Sequence, residues 1–310
     1  LLPIATIGHQ TLSGPAQLES RVDHAQLESQ EAATSEPTCA APCPASTTSS
    51  GASAAGRLRL VFALTSLATR LPLIRPVLDA LVTGQTQPLD AVYLALPPKV
   101  GRLPEWLERY NETSQRPGVL KILLMPEDYG PASKLLAALR EGGERSPGTV
   151  VIYGDDDILY GSRVAELHLR AQTAASGLVA FGTRSIGIGE GRRREAILEA
   201  TGSVSVRGSV LPEAAFSIGG MPDACRLSDD YWLSHHLVRA GAKLQTLSEC
   251  VYDFNTGIWP ETCGTPFHAV AEIEQIGALS ATHLDENGVA TRSGGDWRDQ
   301  LRRYEVCQSI

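Results

Sequence analysis

The chain has 310 residues, 43% of them hydrophobic and 20% charged, enough for a sizeable core in one large domain or two small ones. Its net charge of -8 divides unevenly: residues 1–56 hold Glu19, Asp23, Glu28, Glu31 and Glu36 against Arg21, so 26 of the 27 Lys/Arg meet 30 of the 35 Asp/Glu downstream. That near balance argues against a nucleic-acid partner, which needs a basic excess, and no apolar run approaches the roughly 20 residues of a membrane-spanning helix.

The chain opens on Leu1 rather than Met, which leaves an upstream leader or anchor as the one route to a membrane. Secretory or Golgi lumen and cytoplasm both stay open. Residues 16–20 and 25–29 repeat Ala-Gln-Leu-Glu-Ser, too briefly for a repeat architecture. From Ala32 to Gly56 all but three of 25 residues are Ala, Ser, Thr, Pro or Gly. Such a stretch buries too little apolar surface to offset its ordering entropy and reads as a tether, so residues 1–56 are expected to be a tail and 57–310 the folded domain.

Beyond the tether, short branched apolar runs alternate with longer amphipathic stretches, the pattern of a sheet covered by helices. Strands are expected at Leu58–Thr65, Asp90–Leu96, Val119–Met125, Thr149–Tyr153 and Leu178–Gly182. Helices are expected at Leu73–Val82, Pro131–Arg140 (ended by Gly142 and Gly143), Arg163–Ala175 and Ser228–Ala240. In the last of these Ser228 is the N-cap, and Trp232, Leu233, His236, Leu237 and Ala240 form an apolar face that marks His236 as core. Gly202–Leu211 alternates like an exposed or half-buried strand. Gly187–Arg194 lacks the strand-before, helix-after setting of a dinucleotide fingerprint and reads as a loop, either idle or closing over a diphosphate with Arg192, Arg193 and Arg194.

Cys39 and Cys43 lie in the tail without a second ligand pair for zinc. Cys225, Cys250, Cys263 and Cys307 form either two disulfides in an oxidising lumen or four buried thiols in a cytosol.

The chemistry gathers after the fourth strand. There Asp155, Asp156 and Asp157 place like charges within a few ångströms of one another, which is unfavourable unless a cation offsets the repulsion. Hard oxygen ligands suit Mg2+ or Mn2+. In an extended segment Asp155 and Asp157 share one face and Asp156 looks away. The plainer alternative is a solvated turn or a helix cap. The carboxyl ends of strands in open α/β sheets are where ligands collect.

Residues 59–260, about two-thirds of the chain, resemble the core of a GT-A glycosyltransferase of the Asp-x-Asp, family 2-like type. The likeness is carried by Thr65-Ser66-Leu67-Ala68-Thr69-Arg70 after the opening strand, by Ala91–Leu96, and by Glu127-Asp128-Tyr129-Gly130-Pro131-Ala132-Ser133-Lys134-Leu135-Leu136. Asp155-Asp156-Asp157 stands in place of the Asp-x-Asp element, and Leu227-Ser228-Asp229-Asp230 in place of the later acidic pair. The first 56 and last 50 residues lie outside the resemblance.

The resemblance implies an α/β, Rossmann-like fold with a mixed, mostly parallel sheet flanked by helices. It also implies sugar transfer from a UDP- or GDP-sugar donor to a hydroxyl acceptor on a glycan, protein or lipid. Thr65, Arg70, Tyr129, Lys134, Asp155 and Asp156 would then contact the donor, and Asp155 and Asp157 would hold Mn2+ or Mg2+. His268 is the candidate late ligand, with His283 behind it. The later pair would supply inversion, with Asp230 as base and Asp229 in support. Lys134, one turn into its helix, would face the diphosphate or ribose, against the alternative of an ordinary exposed helix lysine. Acids opening a helix are also favoured by its dipole whatever their function. Two other readings stay open: a non-catalytic glycan- or nucleotide-binding scaffold, and a metal-dependent phosphohydrolase, for which Ile158, Leu159 and Tyr160 supply no obvious base.

Overall fold

The computed structural model describes residues 57–188, 195–217, 219, 221, 225, 229–250, 263–266, 283–284 and 290–291, all within a compact unit spanning Ala54–Ile310. The expected tether, the N-cap Ser228, the arginines 192–194, Cys307 and His268 lie outside the described residues.

Four strands build the first half of the sheet: β1 (Arg59–Thr65), β2 (Ala91–Leu96), β3 (Leu120–Leu124) and β4 (Thr149–Tyr153). β1 runs parallel to both β2 and β4, with Val61 beside Ala91 and Val151, and β2 runs parallel to β3. The apolar runs are nearly continuous because both faces of these strands are covered. Side chains alternate by two. Val61 and Ala63 therefore join one buried cluster, and Leu60, Phe62 and Leu64 the other.

Helix α1 (Arg75–Val82) buries Val77, Leu78, Leu81 and Val82 on the second cluster. It begins two residues later than expected because Pro76 has no N–H to give an earlier turn. Two four-residue helices that the sequence pattern did not announce, α2 (Glu105–Glu108) and α3 (Tyr110–Thr113), bridge β2 to β3. A 3-10 turn, Gly130–Ala132, precedes α4 (Ser133–Arg140). Gly130 has φ 57°, which glycine adopts without strain, and its N–H donates to Asp128 Oδ1 at 2.8 Å. Every side chain of α4 except Arg140 is buried.

After β4 come β5 (Ile158–Leu159), α5 (Val164–Ala174) and β6 (Val179–Gly182), then a hairpin of β7 (Ser185–Ile188) and β8 (Glu195–Leu198). The expected loop Gly187–Arg194 is thus partly strand, since Gly187 and Ile188 pair with Ala196 and Glu195. β9 (Val204–Arg207) corrects a second expectation. It is a central strand, antiparallel to both β4 and β6, with Val204, Ser205 and Val206 buried. Its Val/Ser alternation resembles a half-exposed strand, but the serine side is closed by α5: Ser203 Oγ meets His168 Nε2 at 2.8 Å and Ser205 O accepts Gln172 Nε2 at 3.0 Å.

Helix α6 (Asp229–Arg239) and β10 (Lys243–Thr246) complete the sheet. Trp232, Leu233, His236 and Leu237 are buried as the spacing predicts, with His236 against the Trp232 ring at 4.3 Å. The final order is β10-β6-β9-β4-β1-β2-β3. This is the expected mixed, mostly parallel α/β sheet flanked by helices, Rossmann-like in its first four strands. Among the described residues no helix is long and apolar enough to cross a membrane.

Late in the chain, Cys250 and Cys263 are joined by a disulfide, and Cys225 is also disulfide-bonded. The disulfide alternative is therefore the one observed. Directly after Cys263, β11 (Thr265–Pro266) pairs antiparallel with β5. β12 (His283–Leu284) and β13 (Ala290–Thr291) form a separate two-stranded pair, which places the backbone of His283 away from β5 in pairing.

Two predictions follow from this packing. Burial pushes His168 down to about 3 from 6.5, and its Nδ1 has no hydrogen-bond partner. The unfolded chain then binds a proton that the folded one refuses, so stability falls as pH drops from 6.5 toward 3. The slope is about 1.4 kcal/mol per pH unit, and urea midpoints from pH 7 to 5 should show it in the wild type minus His168→Gln difference. The 13-residue separation of Cys250 and Cys263 predicts that replacing both with alanine lowers unfolding free energy by about 3 kcal/mol in the same assay.

Candidate functional site

β4 is buried along its length and delivers Gly154-Asp155-Asp156-Asp157 to the carboxyl edge of the sheet. Gly154 admits no side chain, since a Cβ there would lie 2.2 Å from Tyr160 Oη and 2.9 Å from Gly202 O. Its N–H donates to Ala63 O at 3.2 Å, and the Tyr160 hydroxyl donates to Asp155 O at 2.7 Å. Tyr160 is itself seated edge-on against Phe62 at 4.6 Å. The backbone entering the triad is thus fixed from below, and only the carboxylates are left to choose partners.

They diverge. Asp156 turns inward, where its Oδ2 accepts the Ser66 hydroxyl at 2.5 Å and its Oδ1 accepts Arg70 Nη1 at 2.5 Å. Arg70 also reaches Asp157 Oδ2 with Nη2 at 3.2 Å. The turn after β1 aims it there, closed by Arg70 N–H donating to Leu67 O at 2.9 Å. On the other side Asp155 Oδ1 accepts Lys134 Nζ at 2.7 Å. The same ammonium lies 3.0 Å from Asp229 Oδ2, at the start of α6. Asp230, the next residue, accepts Ala200 N–H on Oδ1 at 2.9 Å.

Residues from four separate sequence segments therefore converge. Arg70, Lys134, the triad and the later acidic pair form one charged constellation of five carboxylates and two cations. The lysine is not the exposed helix residue of the plainer reading: its side chain is 2% exposed. Nor does it face outward toward a ribose, because α4 turns it in to bridge Asp155 and Asp229. Thr65 and Tyr129 stand differently from their expected role as donor contacts. The Thr65 hydroxyl donates to Ala95 O at 2.9 Å, and the Tyr129 ring is in the core with its hydroxyl accepting Arg140 Nη1 at 3.4 Å.

The enclosure of the site acts on its acids. Burial first, then Asp155 and Asp156, push Asp157 up to about 6 despite Arg70. Burial also raises Asp156 and Asp229, and burial together with Asp229 raises Asp230 well above the carboxylate range. Burial pulls Lys134 down, yet Asp155, Asp229 and Asp230 outweigh it and hold the ammonium well above its usual value. A short distance off, Arg184 Nε lies 2.6 Å from Glu199 Oε2, and Asp155 adds to the burial that raises Glu199.

Asp155 and Asp157, 31% and 36% exposed, are the two triad carboxylates open to a ligand. Their hard oxygens fit Mg2+ or Mn2+, which commonly take one or two carboxylates and complete their shell with water and phosphate. Among the described residues no group of three His, Cys, Asp or Glu side chains is arranged to hold a metal unaided. β11 ends at Pro266 beside Ile158, the residue following Asp157.

Sequence reasoning passed over two residues. Ser66 was part of the quoted Thr-Ser-x-x-x-Arg run, but its hydroxyl's hold on Asp156 depends on a contact 90 positions away. Tyr160 supplies no base, but a glycine just before an acidic run with a tyrosine six residues on is a readable sign of a bracing contact.

No protein-family model matches the chain, and no curated protein matches it. Similar solved structures include a mannosyltransferase from Pyrobaculum calidifontis in complex with GDP-Man and Mn2+, with 19% identity and a TM-score of 0.42 over 62% of this chain. The match spans 55% of that protein's length, so this chain corresponds to about half of it. Glucosyl-3-phosphoglycerate synthase from Mycobacterium tuberculosis, in complex with Mn2+, UDP and glucosyl-3-phosphoglycerate, has 12% identity and a TM-score of 0.41 over 73% of this chain and 77% of its own. A 4-diphosphocytidyl-2C-methyl-D-erythritol synthase has 12% identity and a TM-score of 0.38 over 62% and 89%. At such values the chemistry of the site rests on its own geometry.

The bridge of Lys134 makes a stability prediction. Lys134→Gln leaves Asp229 buried without its cation and should lower the unfolding free energy by about 3 kcal/mol. Adding Asp229→Asn should return at least about half of that, as read from urea denaturation.

Proposed function

We propose that this chain transfers a sugar from a nucleotide-sugar to a hydroxyl acceptor, with Mn2+ or Mg2+ held by Asp155 and Asp157. The observation that carries the reading is the excess of five carboxylates over two cations at the carboxyl edge of β4, with Asp155 and Asp157 facing outward. A bound divalent cation offsets that excess and stabilises a departing nucleoside diphosphate.

The chain's own residues divide the remaining work. Arg70 anchors Asp156 and Asp157 and is the proposed cation on the donor side. Ser66 and Asp156 fix Arg70 in turn, so they act through position. Thr65 and Tyr129, with hydroxyls already engaged inside the fold, are proposed to act on the donor side through packing alone. Asp230 is the proposed base: burial and Asp229 raise its proton affinity, and the Ala200 N–H holds its Oδ1 at the start of α6. Asp229 supports it from Lys134. His268 is proposed as a further metal ligand. In this reading residues 57–310 carry the transferase and 1–56 serve as its tether.

The test is calorimetry with UDP- and GDP-sugars in Mn2+, followed by product analysis with hydroxyl acceptors. The wild type should bind a nucleotide-sugar only with metal, and Asp157→Ala should weaken that binding at least about tenfold. Asp230→Asn should keep donor binding and lose transfer by about 100-fold or more. If no nucleoside diphosphate or nucleotide-sugar binds in Mn2+, the chain is not this enzyme. Sugar release that never reaches an acceptor would favour the phosphohydrolase alternative.

A further inference from the structure

The position of Lys134 bears on how a metal enters. Its ammonium makes a hydrogen bond to Asp155 Oδ1 at 2.7 Å, on the same carboxylate proposed as a metal ligand. Its second partner, Asp229 Oδ2, is fully enclosed and lies 3.0 Å from the same nitrogen. Here the nearest donor is an ammonium that can rotate its three N–H groups in place.

The two carboxylates also differ in freedom. Asp229 is 7% exposed at the side chain and sits in the first turn of α6, whereas the Asp155 side chain is 31% exposed. The backbone of Asp155 is held by Tyr160 and Gly154, so its carboxylate can swing without moving the strand end. Asp155, Asp229 and Asp230 are the groups whose charge Lys134 feels.

We propose, on the basis of the metal reading above, that Lys134 is an internal stand-in cation: it bridges Asp155 and Asp229 in the metal-free protein and keeps Asp229 alone when a divalent ion claims Asp155. The buried ammonium never has to leave for water, because its second acceptor is already at 3.0 Å. The site thus stays charge-compensated without metal, at the expense of metal affinity. Lys134 is accordingly a positioning residue that sets how tightly Asp155 is available.

Binding of Mn2+ alone, followed by the loss of its free electron paramagnetic resonance signal, tests this without any turnover. Lys134→Gln should bind Mn2+ about tenfold more tightly than wild type, as expected when a competing charge-assisted bond to a ligand is removed. Lys134→Gln with Asp229→Asn, which restores the charge balance and guards against unfolding, should still bind more tightly than wild type, though by less. Asp229→Asn alone should bind Mn2+ more weakly, since the lysine then has only Asp155. If folded wild type, Lys134→Gln and the double variant all take up Mn2+ equally, the stand-in role is wrong and the metal site survives. If none of them takes up Mn2+, the metal reading falls and this inference with it.

Discussion

Five carboxylates cannot share the end of one strand and one helix without cations among them, and the rest of the site is arranged around that repulsion. Lys134 and Arg70 answer it from opposite sides. One ammonium joins Asp155 to Asp229 and so ties the end of β4 to the start of α6. One guanidinium joins Asp156 to Asp157 and so ties the same strand end to the turn after β1. Since each cation has two acidic partners, neither half of the constellation is independent of the sheet's central strands. Burial first, and neighbouring carboxylates after it, still raise Asp156, Asp157, Asp229 and Asp230.

The fold prepares this edge with small residues and one bracing ring. Ala63, Ala91, Ala95, Ala137 and Ala138 belong to the cluster on the α4 side of the sheet. Small side chains there let α4 lie close enough for Lys134 to reach the strand end. On the opposite side Phe62 supports Tyr160, whose hydroxyl meets the carbonyl of Asp155 beneath a glycine that leaves room for it. Packing at two faces therefore fixes where the backbone of the acids stands, while their side chains remain free to exchange partners.

Much of this was legible in the chain. Thr149–Tyr153 matched its strand without a residue's difference, and Ser228–Ala240 differed from α6 only at its ends. These are cases in which an apolar period of 2.0 or 3.6 meets an unambiguous boundary. The convergence of Arg70, Lys134, the triad and Asp229 was readable only as a list, because contacts 21 positions apart for Lys134 and Asp155 and 86 for Arg70 and Asp156 leave no local trace. β9 misled for a physical reason. A serine in alternation looks solvent-facing, but hydroxyls can be buried when a histidine and a glutamine meet them, and neither His168 nor Gln172 declares that role in its own neighbourhood. The hairpin of β7 and β8 was hidden by its glycines, which weaken strand propensity without forbidding pairing.

The pairing of β11 with β5 has a consequence in time. Synthesis proceeds from the amino end, and domains assemble as their parts emerge. β1 to β4, Arg70, Lys134 and the triad are all present once Asp157 has emerged, but Asp229 comes 72 residues later and Thr265 later still. During that interval Lys134 has Asp155 as its acidic partner, and the residues after the triad have no strand to lie against. The backbone beside Ile158 is supplied only by β11, so a growing chain acquires the four parallel strands β1 to β4 first and its finished charge constellation well afterwards.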